Sequence, residues 1–422
     1  MSSISNIQLQ LWVLGLIRAT EAVAWSSIFP YAYYMVQSFN VPELDIAFYA
    51  GSLVAVFTFG EFLTGFVWAR VSDRVGRKPT LMLGIACALA SALSFGLSKS
   101  VGVAIATRAF WGMSNPNVGL VPTCTGELAS KEQQANAFSL VTFIRSLGNL
   151  VGPVLGGLLA DPVSSYPSVF SSSSIWARHR YLLPNVAVGL LQVLTLLLTL
   201  FFLRETHPQL ATRHDPGRSF IQLFRRRLGS PDATQEPAYT PIARDSVFAE
   251  PRESTVEMHQ LEDLEEQTLE TQREPTRAFT LQVVLQILSL SLLAFHKMSA
   301  DAIMGTFLAL RPPSSGHSND RRSLSFPHAN GGFGFDTRTI GIIFLTEAIF
   351  RAAIQPTFIP WLITRLGSLG AYRWVLGLYP ATYLLTPFLP RLPSPVGAVA
   401  LFLDLWVKIA LSSVGYVCSS ML

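Results

Sequence analysis

The chain has 422 residues, of which 50% are hydrophobic and 14% charged, against roughly 25% charged in an average soluble domain, which excludes an ordinary water-soluble protein. Its formal net charge of +4 comes without a basic stripe interleaved with stacking aromatics, which excludes nucleic acid as a partner. Cys87, Cys124 and Cys418 are too dispersed for a CxxC pair or a disulfide framework, and no ligand cluster supports a bare metal ion or any cofactor.

An apolar half is enough for about ten spans of roughly 20 residues each. In chain order the apolar segments are 11–36, 47–69, 79–97, 101–121, 137–160, 182–203, 279–310, 338–361, 373–390 and 396–418. They predict an all-α polytopic membrane protein, because a run of this length in lipid must satisfy its own backbone N–H and C=O groups and the alternation of barrel strands is absent. The opening MSSISNIQLQ lacks the basic stretch and cleavage site of a secretory leader, so the first span serves as the insertion signal.

Arg70, Arg74, Arg77 and Lys78 put the second connection in the cytoplasm, and the N-terminus with it. Lys131, Arg204, Arg225 to Arg227, Arg277, Arg365 and Arg373 agree, whereas Arg178, Arg180, Arg311, Arg321 and Arg322 fall on the outer side. Residues 1–203 are expected to form an N-terminal six-helix bundle and residues 204–277, rich in Pro, Arg, Glu, Gln and Thr, a disordered cytoplasmic linker. Residues 278–422 then form an incomplete C-terminal bundle of about four helices, since duplication would give equal halves and the chain stops at Leu422.

Three strings carry chemistry. GFVWARVSDRVGRKPT at 65–80 places Asp73 among cations and Gly76 at a sharp turn before a helix-starting proline. It resembles the loop signature G-x-x-x-D-R-x-G-R-K/R of the major facilitator superfamily, matched by Asp73, Arg74, Gly76, Arg77 and Lys78, with Ala69 in place of the first glycine. The resemblance implies two helical bundles, alternating access and a latch role for this loop through a charge relay with the eleventh span of the other half, before which this chain ends, so that Asp73 is expected to lack that partner. In the fourth span, Arg108 followed by Gly112 resembles the family's R-x-x-x-G element, whose arginine is implicated in proton coupling or substrate contact. GNLVGPVLGG at 148–157 aligns Gly148, Gly152, Gly156 and Gly157 along one helix face around Pro153, which lets a neighbouring backbone approach. It resembles the antiporter motif of drug–proton exchangers, which implies export. EAVAWSSIFPYAYYMV, NVGLVPTCTGELASKEQQANAFSL, YLLPNV and LRETHP resemble the fungal and plant zinc-induced-facilitator-like branch, as do GGFGFDTRTIGIIF and ITRLGSLGAYRW. That branch implies drugs, organic anions or chelators as cargo, a plasma or vacuolar membrane, and a monomer.

Ionisable residues inside spans mark coupling or substrate sites, because a charge in hydrocarbon is costly. Arg18 and Glu21 lie three apart in the first span, and Glu61 lies in the second. Lys297 and Asp301, Glu347 and Arg351, and Asp404 and Lys408 are each spaced to meet on one helix face, either neutralising each other or freeing an acid to exchange protons. Glu21 is the first choice for coupling, having only Arg18 nearby at a less favourable spacing. His296 is a proton relay or a packed polar residue; Arg145 meets either an anionic substrate or an acid on another helix. Trp25, Tyr31, Tyr33, Tyr34 and Trp111 form a cavity wall or interface anchors.

No G-x-x-x-x-G-K-[ST] loop, G-x-S-x-G elbow or H-E-x-x-H helix is present, so neither ATP-driven work nor hydrolytic catalysis is expected. The expected function is secondary active transport of a small organic solute through the lipid bilayer, with protons as the coupling ion. The alternative is a non-transporting truncated paralogue or a membrane sensor that keeps the fold.

Overall fold

The computed structural model describes residues 2–130, 133–171, 173–207, 209–210, 280–311, 331–393 and 395–421. The expected linker falls, beyond residue 210, outside the described residues. The first half comprises α1 (Ser2–Ser26), α2 (Ala32–Gln37), α3 (Glu43–Val75), α4 (Arg77–Gly96), α5 (Val101–Met113), α6 (Asn117–Leu128), α7 (Gln134–Leu159), the short α8 (Pro162–Ser165) and α9 (Ile175–Arg178), and α10 (Leu182–Phe202). The second comprises α11 (Leu281–Ala309), α12 (Thr337–Leu385), which runs into a 3-10 turn at Thr386–Arg391, and α13 (Val396–Met421).

The sequence reading of ten spans is corrected. Among the described residues, six helices are long and apolar enough to cross a membrane: Glu43–Val75, Arg77–Gly96, Asn136–Leu159, Leu182–Phe202, Leu281–Ala309 and Val396–Cys418. The bent pair Thr337–Gln355 and Thr357–Arg391 makes a seventh when taken as one span. The differences have local causes. Segment 11–36 breaks into turns after Ser26 and carries Arg18 and Glu21. Segment 101–121 breaks at Ser114–Pro116 into helices of 13 and 12 residues, each about 20 Å long or less and short of the roughly 30 Å of hydrocarbon. Segments 338–361 and 373–390 fall in helices that bend by 50° between Gln355 and Thr357 and leave the helical conformation again at Gly367, where φ is +70°.

The chain is a multi-pass membrane protein turned inside out relative to a soluble bundle. Phe48, Phe62, Phe66, Leu292, Phe295 and Leu384 point outward and are exposed, as an apolar solvent permits, while Arg108, Glu21, Asn115 and Lys408 are buried inside. Glycines replace the hydrophobic effect as the means of close packing between helices. A Cβ at Gly148 would collide with the Ala19 carbonyl, at Gly152 with Ser26 Oγ, and at Gly156 with the Ser27 carbonyl, so α7 lies backbone to backbone against α1. A Cβ at Gly157 would lie 2.7 Å from the Thr337 carbonyl and 2.8 Å from Gly341 Cα, which brings α7 equally close to α12 of the other half.

Among the described residues the halves share one apolar core, at the end of the bundle holding residues 28–54. Ile28, Phe29, Ile46 and Leu53 of the first half cluster there with Leu308, Ile340, Ile343, Leu401 and Leu405 of the second. At that end the Tyr34 hydroxyl also donates to the Phe335 carbonyl. Toward the opposite end the cores separate: Leu14, Ile17, Leu81, Leu120 and Leu203 pack within the first half, and Ile359, Ala371, Val375 and Val414 within the second.

Gly156→Val forces a branched side chain into the Ser27 backbone, and overpacking of this kind costs about 1–3 kcal/mol. Gly65, with open space around it, is the control. Thermal unfolding in detergent is expected to drop for Gly156→Val and to stay put for Gly65→Ala; equal melting temperatures would refute the backbone seam.

Candidate functional site

The polar interior of the first half is built around Asn115, placed by the break between α5 and α6. Pro116 cannot donate a backbone hydrogen bond, and the gap it opens turns the Asn115 amide inward. Its Nδ2 donates to Glu61 Oε1 at 2.7 Å and to Glu21 Oε1 at 3.3 Å, and its Oδ1 accepts from the Asn117 N–H at 3.2 Å. Arg18 Nη1 grips both Glu21 oxygens, at 2.9 and 2.7 Å. Two carboxylates from α1 and α3 thus share one amide, and Glu21 alone also holds a guanidinium. Arg145, on α7, lies within electrostatic range of Glu21, Glu61 and Arg18 without a hydrogen bond to any of them.

Arg108 is enclosed elsewhere in the same half. Its Nε donates to the Leu53 carbonyl at 3.0 Å, and its guanidinium lies over Trp111 and Phe57, 4.9 and 5.0 Å from their centroids. A pocket with room for roughly one water adjoins it, lined by Tyr31, Phe95 and Asn185 among others. Asn185, from the YLLPNV string, donates to Tyr31 Oη at 3.2 Å and to the Tyr181 carbonyl at 2.8 Å. Tyr31 stacks on Tyr181 at 5.4 Å and Trp111 packs on Phe57 at 4.4 Å. Tyr31 and Trp111 therefore pack in the helical core and also line the small pocket beside Arg108.

The α3–α4 loop is a second polar centre. Gly76 has φ +113°, a conformation side chains resist, and a Cβ there would run into Glu205. Asp73 pairs with Arg77 across its own loop at 2.6 Å. Arg77 also bonds the Ser72 hydroxyl and reaches Glu127 at 3.2 Å. Arg74 is exposed. The Glu205 carboxylate accepts from the backbone N–H groups of Arg77 at 2.8 Å and Lys78 at 3.1 Å, the unsatisfied first turn of α4 where a negative charge is favoured. Lys78 Nζ donates to the Leu200 carbonyl at 2.8 Å, and Thr206 Oγ1 to Glu127 at 2.7 Å.

In the second half Lys297 pairs with Asp301 and Lys408 with Asp404 at 2.8 Å. Thr386 bridges the latter pair, donating to Asp404 at 2.9 Å and accepting from Lys408. Glu347 and Arg351 form no ion pair despite their spacing; Glu347 Oε1 and Arg351 Nε are each buried with no hydrogen-bond partner among the described residues. His296 packs edge-on against Tyr383 and Tyr379, at 4.4 and 4.8 Å.

Sequence reading missed Asn115, Glu127 and Glu205 as members of these networks. Glu127 and Glu205 stand in strings quoted for their resemblance, but the partners of all three lie 50 to 128 residues away, beyond any helical spacing rule.

Between the halves, at the shared-core end, opens a cavity of about 640 Å³ lined by Tyr34, Asp161, Arg180, Asp336 and Arg338 among others. In the adjoining loop His179 is held below its usual pKa by burial, with Lys99 and Arg178 adding repulsion.

Comparison with known proteins adds the family. The sequence model of the Major Facilitator Superfamily matches residues 14–421. The chain is 34% identical to the major facilitator superfamily multidrug transporter mfsB of Aspergillus fumigatus, over 98% of its own length and 72% of that protein's. It is 39% identical to the protein ZINC INDUCED FACILITATOR 1 of Arabidopsis thaliana over 47% of its length, spanning 41% of that relative. Its fold is similar to that of a D-xylose–proton symporter, with a TM-score of 0.57 at 14% identity, covering 98% of this chain and 81% of that one. It is also similar to the human organic anion transporter MFSD10, with a TM-score of 0.52 at 17% identity, covering 98% and 85%. The matching family and these proteins are transporters, not enzymes.

Glu205→Ala strips the first turn of α4 of its acceptor, a loss comparable to removing a helix cap, about 1 kcal/mol. The purified protein is expected to melt at a measurably lower temperature; an unchanged melting curve would mean that water serves the Arg77 and Lys78 N–H groups equally well.

Proposed function

The chain belongs to the Major Facilitator Superfamily, and on that premise we propose that it carries small organic solutes across the bilayer by alternating access, exchanging them for protons in the direction of export. The observation that carries this reading is the apolar core shared by the two halves at one end only. Interfaces that are closed at one end and separate at the other are what a rocking pair of bundles alternates between.

Proton exchange is supported by the Glu21–Asn115–Glu61 arrangement. Two acids share one amide, and one guanidinium is bonded to Glu21. In a low-dielectric interior like charges repel strongly, and Arg18 and Arg145 together offset the two acids. Moving either arginine away as the halves rock leaves one acid in need of a proton, and this links the switch to proton uptake and release. The Gly148–Gly157 seam supports the export direction through its likeness to the antiporter motif, as does the likeness to the Aspergillus multidrug transporter.

Proteoliposomes with an imposed proton gradient, tested with a panel of drugs and organic anions, check the reading. Glu21→Gln and Glu61→Gln are expected to lower gradient-driven flux about tenfold or more while leaving cargo-for-cargo exchange intact. Gradient-driven flux equal to the parent's in both variants would remove these acids from the coupling path.

A further inference from the structure

Arg178 and Arg180 run against the charge rule that orients the chain, because Lys and Arg favour the cytoplasmic side and these two stand in the α7–α10 connection, at the end of the bundle away from the α3–α4 loop. A third cation joins them through a backbone contact. α4 runs from the α3–α4 loop to Gly96, where a Cβ would lie 3.1 Å from Leu182 Cα and 2.9 Å from Asn185 Cβ of α10. This approach sets Lys99, three residues past Gly96, beside His179 and Arg178, three and four residues before Leu182. Lys99 and Arg178 both act by repulsion on His179. Arg180 has Asp161 at 4.0 Å. The Lys99 and Arg178 side chains are exposed and form neither an ion pair nor a hydrogen bond among the described residues.

The connection that carries Arg178 is held at the boundary of the bilayer. One span ends at Leu159 and the next begins at Leu182, and the neck between them is closed by the Asp161 N–H donating to the Arg180 carbonyl at 3.0 Å. Within it Phe170 and Trp176 pack edge to face at 5.9 Å, while Val169 and Ile175 are 73% and 55% exposed. Ile175 and Arg178 open and close the single turn of α9, a spacing that puts them on one side. Exposed apolar groups beside a tryptophan and cations are the composition of a segment lying in the membrane interface, rings and aliphatic groups at the acyl boundary and cations among the phosphates. Toward the bilayer centre the same two helices are apolar on the outside, with Leu93 and Leu97 of α4 and Leu190 and Leu194 of α10 exposed.

We propose that Lys99 and Arg178 bind the phosphate of an anionic phospholipid in the leaflet at this end of the bundle, with its acyl chains against α4 and α10 and Trp176 at the headgroup boundary. The guanidinium fork suits two phosphate oxygens and the ammonium acts as a point charge beside it. A lipid with net negative charge is favoured, because the phosphate of phosphatidylcholine is already balanced by its own choline whereas an anionic surface attracts Lys and Arg. The bound phosphate supplies the counter-charge that the described residues do not. The site concerns the surrounding bilayer and stands apart from cargo and coupling.

The test uses the full chain in phosphatidylcholine nanodiscs carrying a minor share of phosphatidylglycerol with a photoactivatable diazirine in its headgroup, the crosslinked peptides being identified by mass spectrometry. A phosphatidylcholine probe with the same diazirine is the comparison. The phosphatidylglycerol probe is expected to label residues 97–101 and 174–181 about tenfold more than the phosphatidylcholine probe. Lys99→Gln combined with Arg178→Gln is expected to lower that labelling about tenfold or more with little change in melting temperature, both side chains being exposed. Lys99→Arg combined with Arg178→Lys, which keeps both charges, is expected to retain most of it. Labelling around the exposed Arg365 and Arg373 serves as the internal standard and is expected to stay the same in every variant. Equal labelling by the two probes, or labelling at 97–101 and 174–181 unchanged in the glutamine variant, would overturn the site. Labelling abolished by glycerol 3-phosphate in solution would overturn the lipid and assign a soluble phosphate. The probe comparison and the charge-keeping variant decide the matter even where the glutamine variant fails to fold.

Discussion

The backbone of α7 touches α1 at Gly148, Gly152 and Gly156 and touches α12 at Gly157, and the positions of the polar groups follow from that seam. In a membrane no hydrophobic force draws helices together, so stability comes from close packing, and helices without side chains at the contact pack closest. The seam sets Ala19 of α1 against Gly148, which brings Arg18 and Glu21 to the level of Arg145. Where it crosses to Gly341 it brings α12, and with it Glu347 and Arg351, to the same depth. One run of ten residues therefore organises the first half and joins it to the second.

Within that frame charge follows a simple economy. The second half resolves two of its pairs locally, Lys297 with Asp301 and Lys408 with Asp404, each one helical turn apart. The first half draws on two helices and a helix break for one cluster, Arg18 and Glu21 from α1, Glu61 from α3 and Asn115 from the α5–α6 break. Local pairs move as rigid parts of a single helix; a cluster spread over several helices feels every change in their relative position. That contrast singles out the Glu21–Asn115–Glu61 group as the part of the interior most responsive to rocking of the bundles.

Much of this was legible in the sequence, and the illegible part has a physical pattern. Apolar runs gave the helical membrane class, and the glycine string gave the packing face, because both are local. The loop motif gave Asp73 and Arg77 but not their partners, since Glu127 and Glu205 approach from the far ends of other helices. Spacing gave the Lys297–Asp301 and Asp404–Lys408 pairs and failed for Glu347 and Arg351, whose side chains are aligned but do not meet. The number of spans was overestimated because a hydropathy count passes over breaks such as Ser114–Pro116 and cannot tell two spans from a bent pair of helices that counts as one, Thr337–Gln355 with Thr357–Arg391.

The central claim is that the two halves pivot on the seam, closing one end as the other opens. Distances between spin labels test it most directly. In a background without the three cysteines, one pair of labels goes at Leu44 and Val396, exposed near the shared-core end, and one at Val75 and Leu366, exposed toward the opposite end. On acidification or addition of cargo the account predicts reciprocal change, the Leu44–Val396 distance lengthening as the Val75–Leu366 distance shortens. Distances that stay fixed, or that lengthen together at both ends, would contradict it.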